Sequence, residues 1–250
     1  MNAVSSRSPK TGSALAGLPV ARLERMAAAA VELARCERAL AKSGDNVVAE
    51  LLRNAGSFYE WEHYPKGDVY DRDSHAQYYY HAHAAGERPK EHGHFHTFLR
   101  QPGMPKNVRP ALRPAGKKGA KPTSPEEALS HIVGIGIDPY GRARTLFTTN
   151  RWVTGETWYR AEDVVTMIDR FDVELARPSW LVNRWVSAMV ALYRPQIEDL
   201  LHARDRAIEE QRRRKPEQDV FEDRDLEVTS EIAIDPARQR AAIEAALRAA

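Results

Sequence analysis

The 250-residue chain is predicted to be an α+β protein, with helices first, a small antiparallel sheet of about four to five strands next, and helices again at the end. Three observations predict this order. Apolar residues recur at helical spacing near both ends of the chain, and alternating or apolar runs fill the middle. A turn, Asp-Pro-Tyr-Gly at residues 138–141, joins two of those runs as a hairpin. Helices kept apart from an antiparallel sheet are typical of the α+β class.

The composition is that of an ordinary globular protein. Hydrophobic residues make up 42% of the chain and charged residues 29%, and the formal net charge is only +2. Such a weak balance does not indicate nucleic acid or an anionic membrane. The single cysteine, Cys36, excludes an internal disulfide and a Cys-rich zinc module. No secretory signal and no apolar run of about 18 residues is recognised, so we expect a cytoplasmic protein with no membrane contact.

Three segments are expected along the chain. Residues 1–18 are small and polar without periodicity, which predicts a disordered tail. Residues 19–214 are interpreted as a single α+β domain. Residues 215–250 are interpreted as an acidic linker, a short strand and a C-terminal helix.

The domain predicted at residues 19–214 begins with two helices. Apolar residues at three-to-four spacing predict a helix from Pro19 to about Lys42. Asp45 is the expected N-cap of a shorter helix that ends near Gly56. In the aromatic passage 57–73, Pro65 and Gly67 favour loops and turns over a regular element.

The central strands come next. The His-bearing runs 78–83 and 92–99 predict two of them, and the runs 131–138 and 142–149 around the hairpin turn predict two more. Between these pairs, the S-x-x-E pattern at residues 124–127 predicts the start of a short helix. Residues 226–234 are expected to add a strand at the edge of the sheet.

Helices dominate the rest of the chain. Residues 161–176 are periodic, and Pro178 is expected to end that helix. Ser179 is a candidate cap for a long helix to about Arg214 that Pro195 should kink or split. Asp235-Pro236 predicts the start of the final helix.

A histidine-rich stretch, Tyr78 to Leu99, is the main functional signal. It holds five of the nine histidines. Side chains alternate sides along a strand, so histidines at every second position share one face. If the two runs pair as an antiparallel hairpin, any register that sets His81 opposite His92, His94 or His96 joins both sets. This predicts a metal-binding surface or a polar pocket.

Neutral imidazoles are ligands for zinc, iron, copper and nickel, and three protein ligands with one open position are typical of catalytic zinc. We expect His81, His83 and His94 as the first ligands, with His96 or His92 as a fourth ligand or a supporting residue. A divalent transition metal, zinc or iron, is the predicted cofactor of a hydrolase or oxygenase acting on an unknown small molecule.

Charged side chains elsewhere in the chain are candidates for the chemistry. Glu87, Glu91 and Glu156 are possible metal ligands or general bases. Arg151 lies in an aromatic setting just past a strand, where its planar guanidinium can hold a carboxylate or phosphate.

A structural interpretation stands beside this one. Histidines next to Tyr78, Tyr79 and Tyr80 can be half-buried polar residues that bond to tyrosine hydroxyls and backbone groups. The remaining histidines are taken as structural, with His131 the exception because it opens a strand beside the cluster. Cys36 is expected to be a small core residue.

Two further functions are open. Residues 100–123 carry seven basic and no acidic side chains, so Arg109, Arg113, Lys117 and Lys118 can meet the phosphates of nucleic acid or of a small ligand. A solvated insertion or a lid explains the same loop, and nucleic acid is not favoured. In the third interpretation, the long helix from Ser179 packs against a partner chain, with Trp185 on its apolar stripe.

YYYHAH, EHGHFHTFLR and LFTTNRWVTGETW together resemble an uncharacterised family of bacterial proteins of unknown function. The resemblance covers residues 20–205 and implies a bacterial, cytoplasmic protein with no functional residue to carry over. The spacing His81-x-His83-x-x-x-Glu87 is also similar to the first histidine motif of cupin barrels. His75 stands where that motif has glycine, however, and the second cupin motif is not found.

Overall fold

The computed structural model describes residues 15–84, 86, 88, 90–112 and 128–250. These residues form seven α-helices and six β-strands. The helices are α1 (Val20–Lys42), α2 (Val47–Leu52), α3 (Arg151–Thr154), α4 (Ala161–Ile168), α5 (Trp180–Leu192), α6 (Arg194–Arg214) and α7 (Pro236–Ala249). The strands are β1 (Tyr64–Tyr70), β2 (Ala76–His81), β3 (Gly93–Arg100), β4 (Leu129–Ile137), β5 (Ala143–Thr149) and β6 (Val228–Ala233).

The strands form a single antiparallel sheet in the order β1-β2-β3-β4-β5-β6, so each strand pairs with its neighbour in the chain. The α+β class is confirmed. The sheet has six strands and not the expected four to five, because β1 lies in the aromatic passage interpreted as loops. Pro65 and Gly67 are accommodated because β1 is an edge strand with an irregular register between Tyr64 and Val69. A meander of this kind differs from the Greek-key order of cupin barrels.

The His-bearing runs pair as the expected hairpin. His81 on β2 lies opposite His94 on β3, and Tyr79 lies opposite His96. Because side chains alternate along both strands, His81, His94 and His96 share one face of the sheet, called here the histidine face. Tyr79, Phe98 and Phe147 lie on the same face.

The hydrophobic core lies on the opposite face. Tyr78 and Tyr80 of β2, with Phe95 of β3, point into it and are fully buried. Helices α1 and α5 pack against each other over this core. Trp185 of α5 is 1% exposed, and its ring centroid lies 5.6 Å from that of Phe95. Trp185 therefore belongs to the core of the chain and not to an exposed stripe.

Two helix boundaries differ from the sequence prediction. Asn46, not Asp45, caps α2, since its side chain accepts hydrogen bonds from the N–H groups of Val48 and Ala49. Asn and Asp are equally good caps, so sequence alone does not separate them. Helix α4 ends at Ile168, well before Pro178. The expected break near Pro195 is confirmed, since the long helix is split at Tyr193 into α5 and α6, and Pro195 lies in the first turn of α6.

Several sequence predictions lie outside the described residues. These are most of the expected tail, the helix start at residues 124–127, and the side chains of Glu87, Arg113, Lys117 and Lys118. The division into segments 1–18, 19–214 and 215–250 also stays a prediction. Among the helices of the described ranges, none combines the length and the apolar character needed to cross a bilayer.

Candidate metal centre

The centre of the histidine face is the cross-strand pair His81 and His94. Their Nε2 atoms lie 2.6 Å apart, which is a hydrogen-bond distance, and both side chains are at least nine-tenths buried. The pair exists because residues 81 and 94 are direct partners in the β2–β3 register. One of the two nitrogens therefore donates its proton to the other.

His83 completes a group of three. It lies two residues beyond His81, just past the end of β2, and is only half buried. One imidazole nitrogen from each of His81, His83 and His94 lies within 4.8 Å of the others. The indole of Trp61 packs on His83, with ring centroids 4.2 Å apart, and the Trp61 backbone N–H donates to the Ala82 carbonyl at 2.9 Å. These two contacts position His83, which is the one member of the group that does not lie on a strand.

Glu91 orients His94. Its Oε1 accepts a hydrogen bond from His94 Nδ1, which leaves Nε2 of His94 directed at His81. Room for this carboxylate comes from Gly136, which lies opposite His94 on β4. A Cβ atom at position 136 would approach Glu91 Oε2 to 2.7 Å. A histidine whose second nitrogen donates to a carboxylate is a common arrangement in metal sites.

Burial sets the charge state of these groups. It lowers the pKa of His81 to about 3 and holds the pKa of His94 well below its ordinary range, and neighbouring positive groups act in the same direction. Burial raises the pKa of Glu91 to about 7. His81 and His94 are thus neutral at physiological pH, as metal ligands must be.

His96 and His131 form a second, deeper pair. His96 Nδ1 lies 3.0 Å from His131 Nε2, and both side chains are almost fully buried. The His96 ring centroid is 4.8 Å from that of His94, yet His96 Nε2 has no hydrogen-bond partner among the described residues. Burial keeps both imidazoles neutral, with the pKa of His131 lowered to about 3. The pair therefore contacts the three-histidine group through the packing of His96 on His94.

His92 takes a different position. It precedes β3, so the alternation that joins His94 and His96 does not extend to it. Its Nδ1 lies 2.6 Å from the hydroxyl of Tyr80, a residue of the core face, and its ring stacks on that tyrosine. The proposed ligand roles of His92 and His96 stay predictions.

The other two predicted catalytic residues lie apart from the three histidines. Glu156 is completely buried, and its Oε2 accepts a hydrogen bond from the His131 backbone N–H at 2.7 Å. Burial raises its pKa to about 7. Arg151 forms a salt bridge with Glu222. Neither residue is in the group that can hold a metal, and their catalytic roles stay predictions.

A cavity of about 320 Å³ opens beside the three histidines. The polar and aromatic residues that line it are Phe58, Glu60, His83, Arg88, Glu91 and His92. Arg88 reaches Glu227 at 2.8 Å and Glu91 at 3.7 Å. Sequence reasoning did not assign Phe58, Arg88 or Gly136 to the site. Of these three, only Phe58 lies in a stretch with a sequence signal, the aromatic passage 57–73. That passage was interpreted as loops, so its position beside the histidines was not expected.

Comparison with known proteins gives a family. The model of a domain of unknown function, DUF6969, matches residues 27–234, which is most of the chain. The protein belongs to the DUF6969 family. No curated protein and no solved structure matches the chain.

The DUF6969 match confirms the resemblance to an uncharacterised family. The matched region extends beyond residue 205, where the resemblance was expected to end, and reaches past β6. It therefore includes all six strands, the three histidines and Glu91. All of α7 lies outside it.

Proposed function

We propose that His81, His83 and His94 bind a divalent transition metal, zinc or iron, and that the protein is a metal-dependent hydrolase or oxygenase. The observation that carries the proposal is the approach of three imidazole nitrogens to within 4.8 Å, with Glu91 bonded to the second nitrogen of His94. Three neutral nitrogen ligands are the set that zinc and iron accept.

The size of the group supports this proposal after a small adjustment. Two imidazole nitrogens on a tetrahedral zinc stand about 3.3 Å apart, whereas those of His81 and His94 are 2.6 Å apart. To admit an ion, the imidazoles of His81 and His94 must move slightly apart, and that of His83 must move towards them. His83 is half buried and lies just past the end of β2, so it can move without breaking strand pairing, and its contact with Trp61 changes as it does so.

The cavity favours a catalytic over a purely structural metal. Structural zinc sites are closed by four protein ligands, while catalytic sites keep a position for water or substrate. Here one of the three ligands, His83, lines a cavity that also receives Glu91. A bound metal would activate water or a substrate oxygen at this position. Glu91 borders the same cavity and bonds to His94, so it is placed to hold or accept a proton beside the metal.

The test is the metal content of untagged protein, measured by elemental analysis beside the double variant His81→Ala, His94→Ala. We expect close to one zinc or iron per chain in the wild type and a loss of it in the variant. His202→Gln serves as a matched control, because His202 lies on α6, away from the group. Zinc would direct assays to hydrolysis, and iron to oxygen-dependent reactions. Equal metal content in the double variant and the control would refute the proposal.

Fewer structural observations support the two alternative functions, which are phosphate or nucleic-acid binding and helical interaction with a partner chain. Phosphate or nucleic-acid binding depends on the loop at residues 100–123, and three of its four key cations lie outside the described residues. Arg109, the fourth, donates to the carbonyls of Lys106 and Val108. A helical interaction surface cannot use Trp185, which lies in the core and donates to Glu37.

A further inference from the structure

Exposed aromatic side chains gather around the cavity beside the three histidines. The described residues have seven large hydrophobic side chains that are exposed. Phe58, Tyr59 and Trp61 are in one segment that borders the cavity, and Tyr140 follows Pro139, which lines it. Four of the seven therefore fall in two short segments at a single place. Clustered exposed apolar side chains indicate a surface that contacts a ligand or partner.

The first of these segments is held in a fixed conformation. Phe58 stacks on Tyr64, with ring centroids 4.9 Å apart, and the Tyr59 N–H donates to the Tyr64 hydroxyl at 2.6 Å. Trp61 has a φ of 69°, in the left-handed region that a large side chain rarely adopts. Such strain persists only where surrounding contacts require it, and it clusters at functional sites.

The cavity has an aromatic wall and lies beside the proposed metal site. The ring of Phe58 is 38% exposed and lines the cavity with the ring of His92. Arg88, which pairs with Glu227 and Glu91, lines it together with Glu60 and Glu91, so the positive charge that a ligand would meet here is that of the metal. Three neutral imidazoles would leave a divalent ion with its full charge, so the most favourable ligand brings an anionic oxygen to it. At about 320 Å³ the cavity is at the small end of ligand pockets.

We propose that the cavity binds a small aromatic ligand with an anionic oxygen group, such as an aromatic carboxylate, whose ring packs on Phe58 while its oxygen reaches the metal. This inference rests on the proposed function, since it needs a metal held by His81, His83 and His94. It adds the class of substrate to that function.

The test compares two acids of nearly the same size. Zinc-loaded wild-type protein is titrated calorimetrically with benzoate and with cyclohexanecarboxylate, whose ring is neither flat nor aromatic. We expect benzoate to bind about 3- to 10-fold more tightly, the range that aromatic pairing supplies. Phe58→Leu should remove this preference, and Phe58→Tyr should keep it. Trp180→Leu is the control, because Trp180 is exposed on α5 and does not line the cavity.

A second measurement shows whether the oxygen reaches the metal. Cobalt-loaded protein should change its visible absorption when benzoate is added, because a new donor alters the coordination of the ion. No metal uptake at all would overturn the proposed function and this inference with it. Metal uptake with equal binding of the two acids, binding of neither, or a preference that survives Phe58→Leu would overturn this inference alone.

Discussion

Gly136 lies directly opposite His94 across strands β3 and β4, and a Cβ atom at position 136 would come within 2.7 Å of Glu91 Oε2. The same Cβ would meet Thr145 Oγ1 at 2.1 Å. The absence of a side chain on β4 therefore determines where the Glu91 carboxylate lies. A glycine far from the histidines in sequence is part of their surroundings.

Gly136→Ala should weaken metal binding by displacing Glu91, and overpacking of this kind should also destabilise the fold by about 1–3 kcal/mol. Thr145→Ala removes the closer of the two clashes, so the pair Gly136→Ala, Thr145→Ala isolates the effect on Glu91. Metal affinity is measured by competition with a chromophoric chelator, beside Thr145→Ala alone. Unchanged affinity in the double variant would mean that the position of Glu91 does not depend on Gly136.

Glu91→Ala should reduce metal affinity by about 10- to 100-fold, because His94 loses the carboxylate that fixes its ring and its proton. Glu91→Gln should reduce it less, since the amide oxygen still accepts the His94 Nδ1–H bond. The same chelator competition measures both. If the two variants lose equal affinity, charge and not orientation is what Glu91 provides.

Glu156→Gln should change how stability depends on pH. Burial raises the pKa of Glu156 from 4.5 to about 7, so between these values the folded state binds the proton that the unfolded state releases. Its contribution to stability is therefore present at low pH and lost as pH rises through about 7. The glutamine side chain does not titrate. Between pH 5 and pH 8, the free energy of unfolding of the variant should therefore rise relative to that of the wild type, by on the order of 3 kcal/mol.

Urea unfolding at several pH values checks this prediction. The buried histidines have lowered pKa values and act in the opposite sense, losing stability as pH falls below 6.5. Their contribution is common to both proteins and cancels in the difference. Parallel pH profiles for Glu156→Gln and the wild type would show that Glu156 is ionised in the fold.

Tyr78→Phe should destabilise the fold by about 1–3 kcal/mol. The Tyr78 hydroxyl donates to Asn183 Oδ1 at 2.5 Å, and both residues are fully buried, so the variant leaves an acceptor without its donor. Tyr140→Phe is the control, because Tyr140 is 75% exposed. Thermal unfolding compares the two, and equal melting temperatures would contradict the prediction.

The site was predictable from sequence as far as local periodicity reaches. Alternation along two strands is enough to place His81, His94 and His96 on one face once the hairpin is assumed. The register that sets His81 opposite His94 was one of three that the sequence left open. The positions of Glu91 and Gly136 depend on how β3 meets β4, a contact between segments distant in sequence, which no local pattern contains.

The fold was predictable from sequence where the backbone hydrogen bonds are formed within a single helix or hairpin. Helix α4 ends early because tertiary partners take the backbone groups that follow it. Val173 N–H donates to Ser187 Oγ, and Glu174 N–H donates to Asp71 Oδ2. Strand β1 was missed because its proline and glycine are turn signals in any short window, and only its pairing with β2 overrides them.

The sheet divides its tasks between its two sides. The main hydrophobic core contacts the side of Tyr78 and Phe95, while the histidines, with Tyr79, Phe98 and Phe147, are on the reverse. In small zinc modules the ion replaces a missing core, so the chain unfolds without it. Here the main core lies on the side opposite the histidines, so removal of a metal bound by His81, His83 and His94 should leave the chain folded. Substitutions on the histidine face should therefore affect metal binding more than they affect the architecture.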